Sequence, residues 1–194
     1  MRKARKKKRQ KMLKNLIEKD PFLTDEELAD KFEVSIQTIR LDRMEMGIPE
    51  MRERTKNLAQ NAYQRLTSVT EGEVIGELIE LELNKYAESY LRATEDMALK
   101  KTPIIRGHHI FAQANSLAVA AIDAEIVLTG SSEVKFQKIA KVGEILKAKA
   151  YVRKYKKNKY YIDVNTYSDE DEIFSSSFVM FAKKKGEIQE WILY

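Results

Sequence analysis

Two stretches of this chain hold residues whose types and spacing suit them to chemistry. The first is Ile105-Arg106-Gly107-His108-His109, at the head of an Ala-rich run, GHHIFAQANSLAVAAID, residues 107–123. A helix starting there turns its unbonded N–H groups and the positive end of its dipole outward, which favours an anion. Arg106 offers a planar fork for a carboxylate or phosphate, and Gly107 lets a ligand approach the backbone. The same two residues equally suit a structural ion pair at an ordinary helix start. His108 and His109 are the only histidines, and neighbours on a helix point about 100° apart, so they cannot chelate one ion together. They read as structural, and no metal site is expected. Asn115 is polar in a mostly apolar segment and suits a bond to a neighbouring backbone group or a ligand amide. As neither acid nor base it cannot run a hydrolysis, and no catalytic residue is expected.

The second stretch is TDEELADKFEVSIQTIRLDRMEM, residues 24–46. Thr24 with Glu27 three residues on is a capping box, after which Leu28, Ala29 and Phe32 share a face. Glu33-Val34-Ser35 breaks the pattern, and Ser35 caps a second helix carrying Gln37, Thr38, Leu41, Arg40 and Arg43. Helical phase puts Gln37, Thr38 and Leu41 on one arc, expected to meet base edges, and Arg40 and Arg43 nearer the core side, expected to meet phosphates. Two helices at this spacing also occur as an ordinary hairpin with a solvated face.

Charge supports the nucleic-acid reading. Residues 1–60 hold 16 basic and 11 acidic side chains, a net +5, whereas residues 61–194 balance 19 against 19. Half of the front-end positive charge lies in MRKARKKKRQK. That run reads as an arm ahead of a helix-turn-helix, with Lys6, Lys7, Lys8 and Arg9 laid along phosphates or into a minor groove. It has no interleaved Trp, Phe or Leu to bury at a membrane surface. There is no cysteine, so disulfide and thiolate chemistry are excluded. The basic start is not followed by an apolar signal region, and the longest apolar run, Leu117 to Ile122, is too short to span a bilayer. A soluble, cytoplasmic protein is expected.

The elements that must position these residues fall into three parts. Leu13, Leu16 and Ile17 give a first helix after the arm an apolar edge, and Pro21 closes it. Residues 1–48 thus form an arm and a three-helix DNA-binding domain. Gly47 ends the recognition helix and Pro49 suits the start of another, a linker helix over residues 49–68. That helix is a connector that docks on a partner surface, lies near DNA through Arg52, Arg54 and Lys56, or is simply solvated. Residues 69–194 alternate with period two at Glu77 to Leu83, at Val134 and Phe136, at Leu146 to Val152, at Ile162 and Val164, and at Phe178 and Met180. A buried helix with strands before it and long antiparallel strands after it predicts an α+β hot-dog domain. The tail, KKKGEIQEWILY, residues 183–194, suits an edge strand or a docking segment through Trp191, Ile192 and Leu193.

The order of these parts resembles the bacterial FapR repressors of fatty-acid and phospholipid synthesis. The resemblance covers almost the whole chain and rests on TDEELADKFEVSIQTIRLDR, VIGELIELEL and above all RGHHIFAQANSLAVAAID. The segment VSIQTIRLD is also similar to the winged-helix DeoR class, although Leu41 and Arg43 depart from the usual pattern there. The resemblance implies a two-fold homodimer that binds a palindromic operator and is released by malonyl-CoA acting as inducer, with no cofactor. It implies that Arg106 pairs with the malonate carboxylate, that Gly107 admits the thioester and pantetheine end, that Phe111 and Asn115 line the pocket, and that Leu128 stands on its side. Hot-dog relatives are often acyl-CoA thioesterases with a carboxylate on or near this helix. Here the interior position is Asn115 and the next acid along the chain, Asp123, falls at the far end. A hydrolase with a nucleic-acid-binding extension is therefore the second reading, and a general DNA-coating protein the third.

Overall fold

The computed structural model describes residues 2–184 and residue 186. The chain divides into two compact units, residues 1–58 and 59–194, with the division inside the fourth helix.

The first unit holds α1 (Arg2–Lys19), α2 (Asp25–Phe32), α3 (Ile36–Glu45) and the front of α4 (Met51–Tyr63). Leu13 and Ile17 of α1 close over Leu23, Leu28, Ala29 and Ile39 to form its core. The expected caps are present. Thr24 Oγ1 accepts from the Glu27 N–H at 3.2 Å while Glu27 takes the Thr24 N–H at 2.7 Å, and Ser35 Oγ accepts from the Thr38 N–H at 3.3 Å. Glu33 ends α2 in the left-handed region, φ 52°, so α3 leaves at a fixed angle to α2.

Two expectations change here. The basic run is not an extended arm: α1 begins at Arg2. Its cations recur at helical spacing, so Lys6, Arg9 and Gln10 share the face turned to α3 and bond Asp42 and Glu45. Nor is the winged form found, since no strand occurs among the described residues of this unit. Five residues separate the end of α3 from the start of α4, which leaves no room for a hairpin.

In the second unit six antiparallel strands form one sheet in the order β1-β2-β4-β5-β6-β3. They are β1 (Glu77–Glu82), β2 (Tyr86–Arg92), β3 (Ile126–Phe136), β4 (Ile145–Lys156), β5 (Lys159–Ser168) and β6 (Asp171–Lys183). α5 (Gly107–Ala120) touches five of them, β2 to β6. Small residues explain how closely it lies. Ala114 and Ala118 on α5 and Ala87, Ala148 and Ala150 on the sheet belong to one core, all fully buried. Gln113 is also fully buried, and its amide donates to the Ser89 and Leu146 carbonyls and to Ser89 Oγ at 3.1–3.2 Å. Strand β2 was not foreseen. Its sequence, YAESYLR, hides the alternation because its polar Ser89 is buried as the partner of Gln113. The expected role of the tail through Trp191, Ile192 and Leu193 lies outside the described residues. No helix among the described residues is long and apolar enough to cross a membrane.

The chain enters β1 through Gly76, at φ +88°, where a Cβ would stand 2.4 Å from the Tyr90 carbonyl oxygen of β2. Backbone cannot move aside as a side chain can. Gly76→Ala is expected to cost about 2 to 3 kcal/mol, read as a lower urea midpoint for the second unit.

Candidate functional site

In the first unit, burial sorts the residues of α3. Asp42 and Arg43 are inward, at 1% and 6% exposure, whereas Gln37, Arg40 and Leu41 face water. The outward surface also includes Ile36 and Met44, at 37% and 72%. Met44 was missed because in the sequence it reads as core. A donor-bearing Gln37 and Arg40 beside exposed Leu41 and Met44 form a surface of hydrogen-bonding and methyl groups, the kind that meets base edges and thymine methyls. Thr38 is half-buried and its hydroxyl lies 2.9 Å from Ser35 Oγ, so both residues serve the cap.

Arg43 is not free to meet a phosphate. Its guanidinium donates twice to Asp25, at 2.7 and 2.8 Å, and once to the Ile48 carbonyl at 2.9 Å. These bonds hold the Asp25 carboxyl below its ordinary value and raise Arg43. Arg40 keeps half of its side chain exposed, with Nε 3.5 Å from Asp25. Of the basic run, Lys6 and Arg9 are engaged with Glu45 and Asp42, both at 2.6 Å, while Lys7 and Lys8 face water. On α4, Arg52 and Lys56 are exposed. Arg54 is buried and donates to the Pro21, Leu23 and Pro49 carbonyls. It fastens the helix rather than meeting a partner.

In the second unit, Arg106 is the N-cap of α5 and no side chain caps that end. Its Nε donates to the Met97 carbonyl at 3.2 Å and Nη2 to the Asp96 carbonyl. Two of its five donors are thus spent on holding the fork, and three remain. Gly107, Phe111 and Asn115 follow at four-residue steps along one face of α5. A Cβ on Gly107 would meet Phe136 of β3 at 2.8 Å. The Phe111 ring lies 5.9 Å from Phe178 of β6, and Asn115 Oδ1 accepts from Thr129 Oγ1 of β3 at 2.8 Å. The structure therefore places Gly107, Phe111 and Asn115 on one face of α5, toward β3 and β6, with Arg106 at its head held by the 96–97 turn. Leu128 stands apart. It pairs with Phe181 on β6, and since Thr129 beside it turns toward α5, Leu128 points to the opposite face and is 40% exposed.

Two neighbours were not anticipated. Asp96 lies at the α5 N-terminus because the 3₁₀ turn Glu95–Met97 folds back against Arg106. Distance along the chain had pointed to Asp123 instead. A hydrogen bond from Thr94 holds the Asp96 carboxyl below its ordinary value. His109 is half-buried with Nε2 unpartnered. Burial first, then the neighbouring His108 and Arg106, lower its pKa below the ordinary value. The His108 ring lies 4.1 Å away, centroid to centroid. Among the described residues no three His, Asp or Glu side chains are placed to hold a metal ion.

No protein-family model matches the chain. It is 50% identical over 184 residues to the transcription factor FapR of Bacillus velezensis, covering 93% of this chain and 98% of that protein. It is 48% identical over 182 residues to the transcription factor FapR of Bacillus subtilis, covering 92% and 97%. With the transcription factor FapR of Caldanaerobacter subterraneus it shares 46% over 188 residues, covering 94% of each. Among solved structures, an uncharacterized protein from Pyrococcus horikoshii superimposes with a TM-score of 0.59 at 26% identity, over 62% of this chain and 94% of that one. A sigma28-regulated virulence protein from Campylobacter jejuni gives 0.62 at 23%, over 66% and 92%. These likenesses are to the hot-dog fold of the second unit.

The Asp25–Arg43 pair yields a stability test. Arg43→Ala leaves a partly buried carboxylate without its bidentate partner and is expected to cost the first unit about 1 to 3 kcal/mol, whereas Arg40→Ala costs less than about 0.5 kcal/mol. Thermal melts followed by helical circular dichroism separate the two. Because Asp25 titrates below its ordinary 3.8 in the fold, the pair's contribution is complete above that value. It fades as pH falls through the lower folded value, and an Asp25→Asn variant is expected to lose that acid dependence.

Proposed function

The chain belongs to the FapR family of transcription factors, and from that premise we propose that it represses fatty-acid and phospholipid synthesis genes and is released from its operator by malonyl-CoA. The observation that carries the ligand reading is Arg106. Its fork is held by two backbone carbonyls at an uncapped helix N-terminus and keeps three donors for an anion. A malonyl group adds to a thioester one thing an acetyl group lacks, a carboxylate, and a guanidinium donating through two N–H groups is its matching partner. The thioester and pantetheine arm runs past Gly107 and along Phe111 and Asn115, the α5 stripe beside β3, and entry requires the Phe136 ring to swing off Gly107.

In the first unit a helix-turn-helix, α2 and α3, offers Gln37, Arg40, Leu41 and Met44 to a major groove. Lys7, Lys8 and Arg52 add phosphate contacts, and Ser35 and Thr38 fix the N-terminus of the reading helix. The edge strand β3 supports the homodimer reading. Its Val134 and Phe136 lie on the core side of the sheet yet are 37% and 52% exposed, and a second copy against that edge would cover them. It would also bring a partner's surface to Leu128. A two-fold dimer calls for a palindromic operator. Release needs differential affinity alone: a hundredfold loss of operator affinity corresponds to about 2.8 kcal/mol of preference of the ligand for the DNA-free state.

The hydrolase reading draws on the thioesterases among the fold's neighbours, one of them a hypothetical thioesterase from Streptococcus pneumoniae with a TM-score of 0.50 at 13% identity. The acid by the site, Asp96, is exposed and held below its ordinary pKa, a poor general base. Repression without catalysis is the better fit.

Arg106→Ala removes the carboxylate's partner, and Gly107→Val fills the approach. Both variants are expected to bind operator as the parent does and to need at least tenfold more malonyl-CoA for release, measured by gel shift. Release of the Arg106→Ala complex at the parent's ligand concentration would remove the ligand assignment. The parent is expected to release no thiol from malonyl-CoA above a protein-free control. Steady release that Asp96→Asn abolishes would install the hydrolase reading.

A further inference from the structure

Residues 145–162 carry seven basic side chains and no acidic one, while the rest of residues 61–194 sets 12 basic against 19 acidic. The concentration peaks in the hairpin where β4 turns into β5 through Lys157, in the left-handed region at φ 56°, and Asn158. Five cations stand between residues 153 and 159. Among the described residues Arg153 alone of these meets a carboxylate, Asp163 at 2.7 Å. Lys156 sits directly opposite Lys159 in the ladder, a like-charge pairing that costs the hairpin stability. Lys154 and Lys159 lie over the Tyr161 ring at 4.7 and 5.3 Å. Tyr155 and Tyr160 stack at 5.1 Å, and Tyr155 is 56% exposed. The aromatic pairs stiffen a two-stranded ribbon whose rim is cationic, and such a ribbon fits the major groove or lies along a phosphate backbone.

We propose that the β4–β5 hairpin is a second nucleic-acid contact, placing Lys154, Lys156 and Lys157 against phosphates of duplex DNA without reading sequence. The proposal rests on the chain being a DNA-binding protein, as read above, and adds a surface outside the helix-turn-helix. Charge complementarity selects this occupant. A membrane surface would ask for exposed Trp, Phe or Leu at the tip, and the exposed rings there are Tyr151 and Tyr155.

The test uses the full chain and a random-sequence duplex of about 60 base pairs, with affinity measured across a salt series. Lys154, Lys156 and Lys157 are exposed, and the variant also relieves the Lys156–Lys159 repulsion, so K154Q/K156Q/K157Q should melt no lower than the parent. Its log–log salt slope is expected to be shallower by about 2 to 3, near 0.9 per lost phosphate contact, with affinity at least fivefold weaker at about 50 mM salt. A control with the same charge change elsewhere in the unit, K100Q/K101Q/K141Q, should keep the parent's slope. An unchanged slope in the hairpin variant overturns the proposal, as does an equal loss in the control. So does phosphatidylglycerol vesicle binding that the hairpin variant loses while its DNA slope stays that of the parent. Gln37→Ala with Leu41→Ala separates the two readings, since it should lose operator preference yet keep the random-duplex slope. Failure of the parent to bind either DNA would remove both.

Discussion

A helix enclosed on most sides must satisfy its polar groups inside the protein and leave its end groups where water or a ligand can reach them. α5 is under that constraint, and the second unit is arranged around it. Its alanines let the sheet close to contact distance, Gln113 is bonded to two strands at once, and five strands touch it. The N-terminus cannot be buried in the same way without stranding its N–H groups. It emerges beside Arg106 and the turn at Asp96, so the need to bury α5 is what creates an uncapped, cation-flanked helix start.

The first unit solves a related problem with charge. A unit of about sixty residues buries little apolar surface, and this one supplements six buried apolar side chains with a lattice of ion pairs. Asp25 holds Arg43, Asp42 holds Arg9, and Glu45 holds Lys6. Each acid belongs to or borders α2 and α3, so these bonds orient the pair of helices. What remains outward on α3 is the surface left over once the inner face is fully occupied, and it contains the groups able to meet DNA.

Much of this was legible in the sequence because it is periodic or capped. The capping box at Thr24, the cap at Ser35, the Ala-rich helix and the long strands follow from spacing alone. Side-chain partners did not follow. A segment made almost wholly of cations has no apolar stripe, so residues 2–11 read as an arm in sequence, and their helix is explained only by Asp42 and Glu45 across from Lys6 and Arg9. Arg43 and Arg54 read as phosphate contacts because arginine type says nothing of burial. Asp96 is not legible as a neighbour of Arg106 because the two stand ten positions apart in the chain and only the folded loop joins them. Phe136 looked like core from its alternation, whereas β3 is an edge strand and leaves it half in water against Gly107.

The central claim is that a free carboxylate on an acyl-CoA, read at the α5 N-terminus, is what separates this protein from its operator. The most direct measurement is the fluorescence anisotropy of a labelled operator complex of the unaltered protein, titrated in parallel with malonyl-CoA and acetyl-CoA. The account predicts that malonyl-CoA brings the anisotropy down to that of free DNA while acetyl-CoA at the same concentrations leaves the complex intact. Equal release by both ligands, or by neither, would contradict it.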